Sequence, residues 1–202
     1  DIARIIITHG HADHDGNAHP IQQASGAELW CHEVYAQTLD VDPYVTPQMM
    51  GQPQLLPHQD SPWEWEQAHQ EYHRTRAMLK VSRAVADGDT CGPFTFLYTP
   101  GHAMDGLCTL VDGVMFSGDH ILPDITPHPS CCVYYDHFRP SLPPPYQGEN
   151  HYFGLHTYLE SVQKVGSVES DYLVLPAHRL YHRGRWWLQG KERATEIAAH
   201  HL

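Results

Sequence analysis

The sequence predicts an α/β fold built in layers, and three features predict it. Near the N terminus the β-branched run Ile5-Ile6-Ile7 is followed by a helix-compatible stretch (17–25), a short strand (27–31) and a second helix (32–39), an alternation that suits helices packed on a sheet. In the middle, residues 107–111 and 114–117 read as strands joined by Asp112-Gly113, a dipeptide favoured in type I′ hairpins because both of its residues tolerate positive φ. Towards the C terminus Tyr152, Leu155, Tyr158, Leu159, Val162 and Val165 fall on one helical face, ahead of a buried strand at 172–175 and a closing helix over 191–202.

The intervening elements follow from local chemistry. Gly10, Gly16 and Asn17 end the first strand and open a turn, and Gly26 ends the first helix. Pro43, Pro47, Pro53 and Pro57 break regular structure between 40 and 57, a loop laid over the surface. Ser61-Pro62-Trp63-Glu64 is a helix start: Ser61 as N-cap, Pro62 in the first turn, Glu64 closing a capping box. Trp65, Ala68, Tyr72, Thr75 and Leu79 continue at helical spacing, which carries the helix to about Val81, with His69, Arg74 and Arg76 on its solvated face. Residues 86–89 form a turn and 94–98 a strand leading into Thr99-Pro100-Gly101-His102. The stretch 123–150 is irregular and proline-rich; Tyr134, Tyr135, His137, Phe138 and Arg139 suit a loop that faces a substrate, though packing on the domain surface accounts for them equally.

The chain has 202 residues, 41% hydrophobic and 18% charged, enough for one domain with a sizeable core. A net charge of −12 argues against nucleic acid and anionic membrane as partners, and no apolar run reaches the length of a membrane span. Cys31, Cys91, Cys108, Cys131 and Cys132 are odd in number, and none is at CxxC spacing. They read as reduced thiols of an intracellular protein, with Cys31 and Cys108 as small buried hydrophobes.

Chemistry concentrates in His9-Gly10-His11-Ala12-Asp13-His14, where four metal-capable side chains fall within six residues. His9 and His11 alternate as strand residues do and share a side. Asp13 and His14 converge with them only if the backbone turns between them. Three later strand-like runs also end in potential ligands: His102, Asp119 in Ser117-Gly118-Asp119-His120, and His178 in Leu175-Pro176-Ala177-His178. In layered α/β folds functional groups gather where strand ends meet.

The His-x-His-x-Asp-His spacing, followed in order by these segments, resembles the metallo-β-lactamase superfamily, and within it the glyoxalase II-like hydrolases. That resemblance implies an αββα sandwich, here lacking its first N-terminal strands because Asp1 already adjoins the Ile5–Ile7 run. It implies one hydrolase domain over 1–202, truncated at both ends, with a helical and loop insertion at about 40–86 where nothing specific is recognised. It further implies that His9, His11 and His102 hold one metal, that Asp13, His14 and His178 hold a second, and that Asp119 bridges them. Five imidazoles and two carboxylates without a thiolate suit two divalent ions, zinc by default, with iron or manganese as alternatives.

The chemistry so implied is hydrolysis of an ester-like bond by a metal-bridging hydroxide, with Asp13 and Asp119 as catalytic carboxylates and a thioester as the leading substrate. His120 reads as a supporting residue. Arg179, His182, Arg183 and Arg185 either bind an anionic substrate tail or form a basic exposed turn. Asp105 and Gly106 stand where the family often has other residues, which weakens assignment to glyoxalase II proper. Endoribonuclease, lactonase and iron-dependent oxidoreductase activities of the same superfamily are the rivals. A small-molecule substrate and a cytoplasmic location are expected, no nucleic-acid or membrane partner is, and self-association is left open.

Overall fold

The computed structural model describes residues 1–41, 62–123, 125–129, 138–148, 152–178 and 188–201. Two sheets form its centre. The first is three-stranded and parallel: β1 (Arg4–Ile6), β2 (Glu28–His32) and β3 (Val81–Val85), in that order. The second has six strands in sequence order: β4 (Thr90–Cys91), β5 (Phe94–Tyr98), β6 (Leu107–Val111), β7 (Val114–Gly118), β8 (Leu173–Pro176) and β9 (Leu188–Gln189). The helices are α1 (Ala12–Asp15), α2 (Ala18–Ser25), α3 (Glu33–Gln37), α4 (Pro62–Arg76), α5 (Gly154–Gly166) and α6 (Gly190–His201).

Strand alternation sorts the side chains into layers. Along β2, Trp30 points to the second sheet and joins Val85, Phe96 and Leu107 in one apolar cluster between the sheets. Leu29 and Cys31 point the other way, onto Ala18, Tyr35 and Leu79 of the helical side. On the far face of the second sheet, Cys108, Met115 and Val174 pack against Tyr158, Val162 and Val165 of α5 and Ala194 and Ile197 of α6. Helix, sheet, sheet, helix is the αββα sandwich that the family resemblance implies. Cys31 and Cys108 are fully buried, as expected of small hydrophobes.

The hairpin between β6 and β7 closes through Asp112 (φ 49°) and Gly113 (φ 76°), with Val111 paired to Val114. Positive φ at both central residues defines the type I′ turn read from Asp112-Gly113. Gly26 ends α2 in the left-handed region at φ 68°.

Three expectations need correction. The helix expected to reach Val81 stops at Arg76, and Val81–Val85 is a strand parallel to β2. The Gln22 side chain holds the chain between the two elements: its amide donates to the Lys80 carbonyl (2.8 Å) and its carbonyl accepts the Lys80 N–H (2.9 Å). Arg76, read as part of a solvated face, is only 3% exposed. His9 and His11 are not strand residues. β1 ends at Ile6, and the Thr8 carbonyl accepts the N–H of Leu107 (2.8 Å), so the chain crosses to the second sheet before the motif begins. Strands β4 and β9 were not foreseen; each has two residues, too few for a periodic signal. Among the described residues no helix is long and apolar enough to cross a membrane.

Candidate metal centre

The ligand-bearing segments meet at one edge of the sandwich because their strands run the same way. β7 and β8 are parallel neighbours, and β5 shares their direction through two antiparallel pairings. His102, Asp119 and His178 therefore all follow C-terminal strand ends. The fourth segment arrives from β1. His11 is the extended N-cap of α1, and its carbonyl accepts from the N–H groups of His14 (2.8 Å) and Asp15 (3.0 Å). This single turn of helix supplies the bend that lets Asp13 and His14 face the same point as His9 and His11.

Three groups of potential ligand atoms each lie within 4.8 Å of one another: His9, His11 and His102; His9, His14 and Asp119; and Asp13, His14 and His178. His9 Nε2 is 3.0 Å from His11 Nδ1. Asp119 reaches both outer groups. Its Oδ2 is 3.4 Å from His102 Nε2, and its Oδ1 is 3.3 Å from His14 Nε2 and 3.1 Å from His178 Nε2. Asp13 Oδ2 lies 3.6 Å from His14 Nε2 and 3.4 Å from His178 Nε2. All seven residues singled out in the sequence as ligands are thus brought together. Arg179, His182, Arg183 and Arg185, the suggested substrate-tail residues, lie outside the described residues, as do Cys131, Cys132, Tyr134, Tyr135, His137, Ser61 and the loop at 42–57.

Two of the imidazoles are held ready for a cation. Burial, reinforced by the neighbouring imidazoles, holds His9 well below the usual histidine range and His11 down to about 4, so both are neutral and offer lone pairs. Burial works against the charged forms of His14 and Asp119, but their neighbours prevail: the imidazoles of His102 and His14 hold Asp119 well below the carboxylate range, and Asp119 raises His14. His102 Nδ1 donates to the His128 carbonyl (2.9 Å), which leaves Nε2, the atom facing Asp119, as the acceptor nitrogen. His178 is one of two non-glycine residues with positive φ (61°) among those described, a backbone state that costs about 1–3 kcal/mol and gathers at functional sites. A cluster of converging imidazole nitrogens around a shared carboxylate, with no thiolate, fits one or more divalent cations of zinc, iron or manganese type.

Other supporting residues were not evident in the sequence. Asp15, Asp105 and Arg76 are buried beside the motif. Asp105 Oδ2 accepts the Gly10 N–H (2.9 Å). Asp15 accepts the hydroxyls of Tyr35 (2.7 Å) and Tyr72 (2.6 Å) and faces Arg76 Nε at 3.4 Å. Only the place of Asp15 directly after His14 could have drawn attention to it. His120 is buried, as a supporting residue should be, and burial pushes it down to about 3.

Comparison with known proteins gives the family and the fold. The model of the metallo-beta-lactamase superfamily matches residues 1–178, so the chain belongs to that superfamily. A curated relative described as a "probable polyketide biosynthesis zinc-dependent hydrolase", BaeB of Bacillus velezensis, is 24% identical over 128 residues, 61% of this chain and 41% of the relative. Among solved structures, a metallo-beta-lactamase family protein from Thermus thermophilus superposes with a TM-score of 0.65 at 19% identity, covering 100% of this chain and 61% of the other. A beta-lactamase domain protein from Burkholderia ambifaria superposes with a TM-score of 0.62 at 22% identity, covering 98% of this chain and 54% of the other. At these identities the structures establish the fold, and the chain spans less than two thirds of the length of each of these relatives.

Proposed function

We propose that this chain is the catalytic domain of a binuclear metal-dependent hydrolase that cleaves an ester-like bond in a small molecule, a thioester foremost. The observation that carries the reading is the position of Asp119 between His9/His11/His102 and Asp13/His14/His178, within 3.4 Å of His102, His14 and His178. In this reading the first trio holds one ion, the second trio holds another, and Asp119 reaches both. Zinc is the favoured metal, since the curated relative is described as zinc-dependent and the donor set suits it.

Bound ions of this kind lower the pKa of water towards about 7 and polarise the oxygen of the bond under attack. The protein's own residues arrange the rest. Asp13 is the more exposed of the two carboxylates, with its side chain 59% accessible. It can orient an attacking water and take its proton. Asp119, with its side chain 10% accessible, stays ionised and holds His14, His102 and His178 in register. No side-chain nucleophile is required, and burial keeps the Cys31 and Cys108 thiols protonated, with Cys108 pushed up to about 12.

Support for a thioester comes from the likeness of Asp13-His14, Thr99-Pro100-Gly101-His102 and Ser117-Gly118-Asp119-His120 to the glyoxalase II-like group. The net charge of −12 favours a small molecule over RNA, and the proposed location is the cytoplasm. The test is thiol release from a panel of acyl-thioesters by the full-length, metal-loaded protein, with Asp119→Ala beside it. Release that vanishes in the variant supports the reading. An inert panel with two ions bound overturns the thioester assignment in favour of lactones or RNA.

A further inference from the structure

Gly10 separates His9 from His11, and its backbone is held on every side. Its N–H donates to Asp105 Oδ2 at 2.9 Å. Its carbonyl lies 3.3 Å from the Tyr72 hydroxyl, whose single proton has Asp15 Oδ1 as the nearer acceptor at 2.6 Å. A Cβ at this position would stand 2.9 Å from Asp105 Oδ2, 3.0 Å from Arg76 Nη2 and 3.1 Å from Tyr35 Cε2. The peptide between the two histidines therefore rests directly on a buried layer of two carboxylates, a guanidinium and two phenols.

Arg76 anchors that layer. Its Nη1 donates to the carbonyls of Thr38 (2.7 Å) and Val41 (3.1 Å), its Nε faces Asp15 at 3.4 Å, and its guanidinium lies 4.9 Å from the Tyr35 ring centroid. Buried charges are an inefficient source of stability, because desolvation offsets most of their attraction. What such a network provides is geometry: its bonds are directional, and here Asp105 holds the N–H of the peptide that spaces two ligand side chains, while Tyr72 and Arg76 meet Asp15 beneath it.

We infer that Asp105 is a positioning residue that holds Gly10 by a hydrogen bond, and that Tyr72 and Arg76, which meet Asp15 and pack beneath Gly10, support the spacing of His9 and His11 with it, which makes helix α4 a structural part of the metal centre. The inference rests on the assignment of His9, His11 and His102 to one ion. It places α4, a helix outside the recognised motifs, beneath the site as its brace.

The test is cobalt(II) titration of the metal-free full-length protein, followed by the visible absorption of the bound ion, for the parent, Asp105→Ala, Asp105→Asn, Tyr72→Phe and the remote core variant Val165→Ala. The melting temperature of each metal-free protein is recorded alongside. Asp105→Ala and Tyr72→Phe should weaken cobalt binding by about 10- to 100-fold and alter the absorption of the bound ion. Asp105→Asn keeps an acceptor for the Gly10 N–H and should bind within a few-fold of the parent. Val165→Ala should lower the melting temperature without changing affinity or spectrum. Parent-like affinity and spectrum in both Asp105→Ala and Tyr72→Phe overturn the inference, as does an equal loss of affinity in Val165→Ala. A parent that binds no cobalt overturns the ligand assignment as well, which separates the two failures.

Discussion

His14 Nε2 and His178 Nε2 face each other at 3.2 Å although 164 residues separate them in sequence. Both nitrogens also lie against Asp119 Oδ1, at 3.3 and 3.1 Å. Converging donor atoms of this kind are satisfied together by one cation. In the proposed two-ion centre, His178→Ala should therefore remove one ion and leave the other. Turnover should fall on the order of 10²- to 10³-fold, the scale of losing one electrostatic stabiliser. Elemental analysis of the purified variant checks the first outcome and steady-state kinetics the second.

The metal-free protein should lose stability in mild acid. His32 is fully buried, stacked on Tyr98 at 3.9 Å, and burial lowers it to about 3. Burial likewise lowers His11 to about 4 and His120 to about 3. The unfolded chain protonates these groups near 6.5, while the folded chain keeps them neutral. The unfolded state thus binds more protons as pH falls from about 6.5 towards 3, and stability declines by up to about 1.4 kcal/mol per pH unit for each such group. His14, raised in the fold, opposes this in part. Melting curves between pH 7 and 4 check the sign, and His32→Phe should flatten the slope.

The turn at Asp112-Gly113 gives a prediction independent of metal. Gly113 has φ 76°, and an added Cβ there costs about 1–2 kcal/mol. Gly113→Ala should lower the melting temperature by roughly 2–8 °C in a domain of this size. Metal content should not change, which elemental analysis beside the melt verifies.

Helix α6 supports the loop that follows Asp119. Arg193 Nε donates to the Leu122 carbonyl at 2.7 Å, and its side chain is 14% accessible. Arg193→Met should cost about 1–3 kcal/mol, because the carbonyl loses its charged donor. Denaturant unfolding of the metal-free protein measures this.

The candidate ligands were legible in the sequence because four of them lie within six residues and the others follow strand-like runs. The Asp112-Gly113 hairpin and the amphipathic face of α5 were legible for the same reason: the signal is local. The brace under Gly10 was not. Arg76 in isolation is an ordinary polar helical residue, and only the packing of α4 beside α1 brings it to Asp15. β3 was missed because Val81-Ser82-Arg83-Ala84-Val85 lacks clean alternation and Leu79 extended the helical pattern. A long-range contact, Gln22 with the Lys80 backbone, holds the chain between the end of the helix and β3.

The most direct test of the account is metal stoichiometry and ligation in the full-length protein loaded with zinc, by elemental analysis together with X-ray absorption. The account predicts two ions per chain in nitrogen and oxygen ligation, separated by about 3.5–4 Å, and one ion or fewer in Asp119→Ala. A single ion in the parent, or two ions undisturbed in Asp119→Ala, would contradict the shared centre around Asp119.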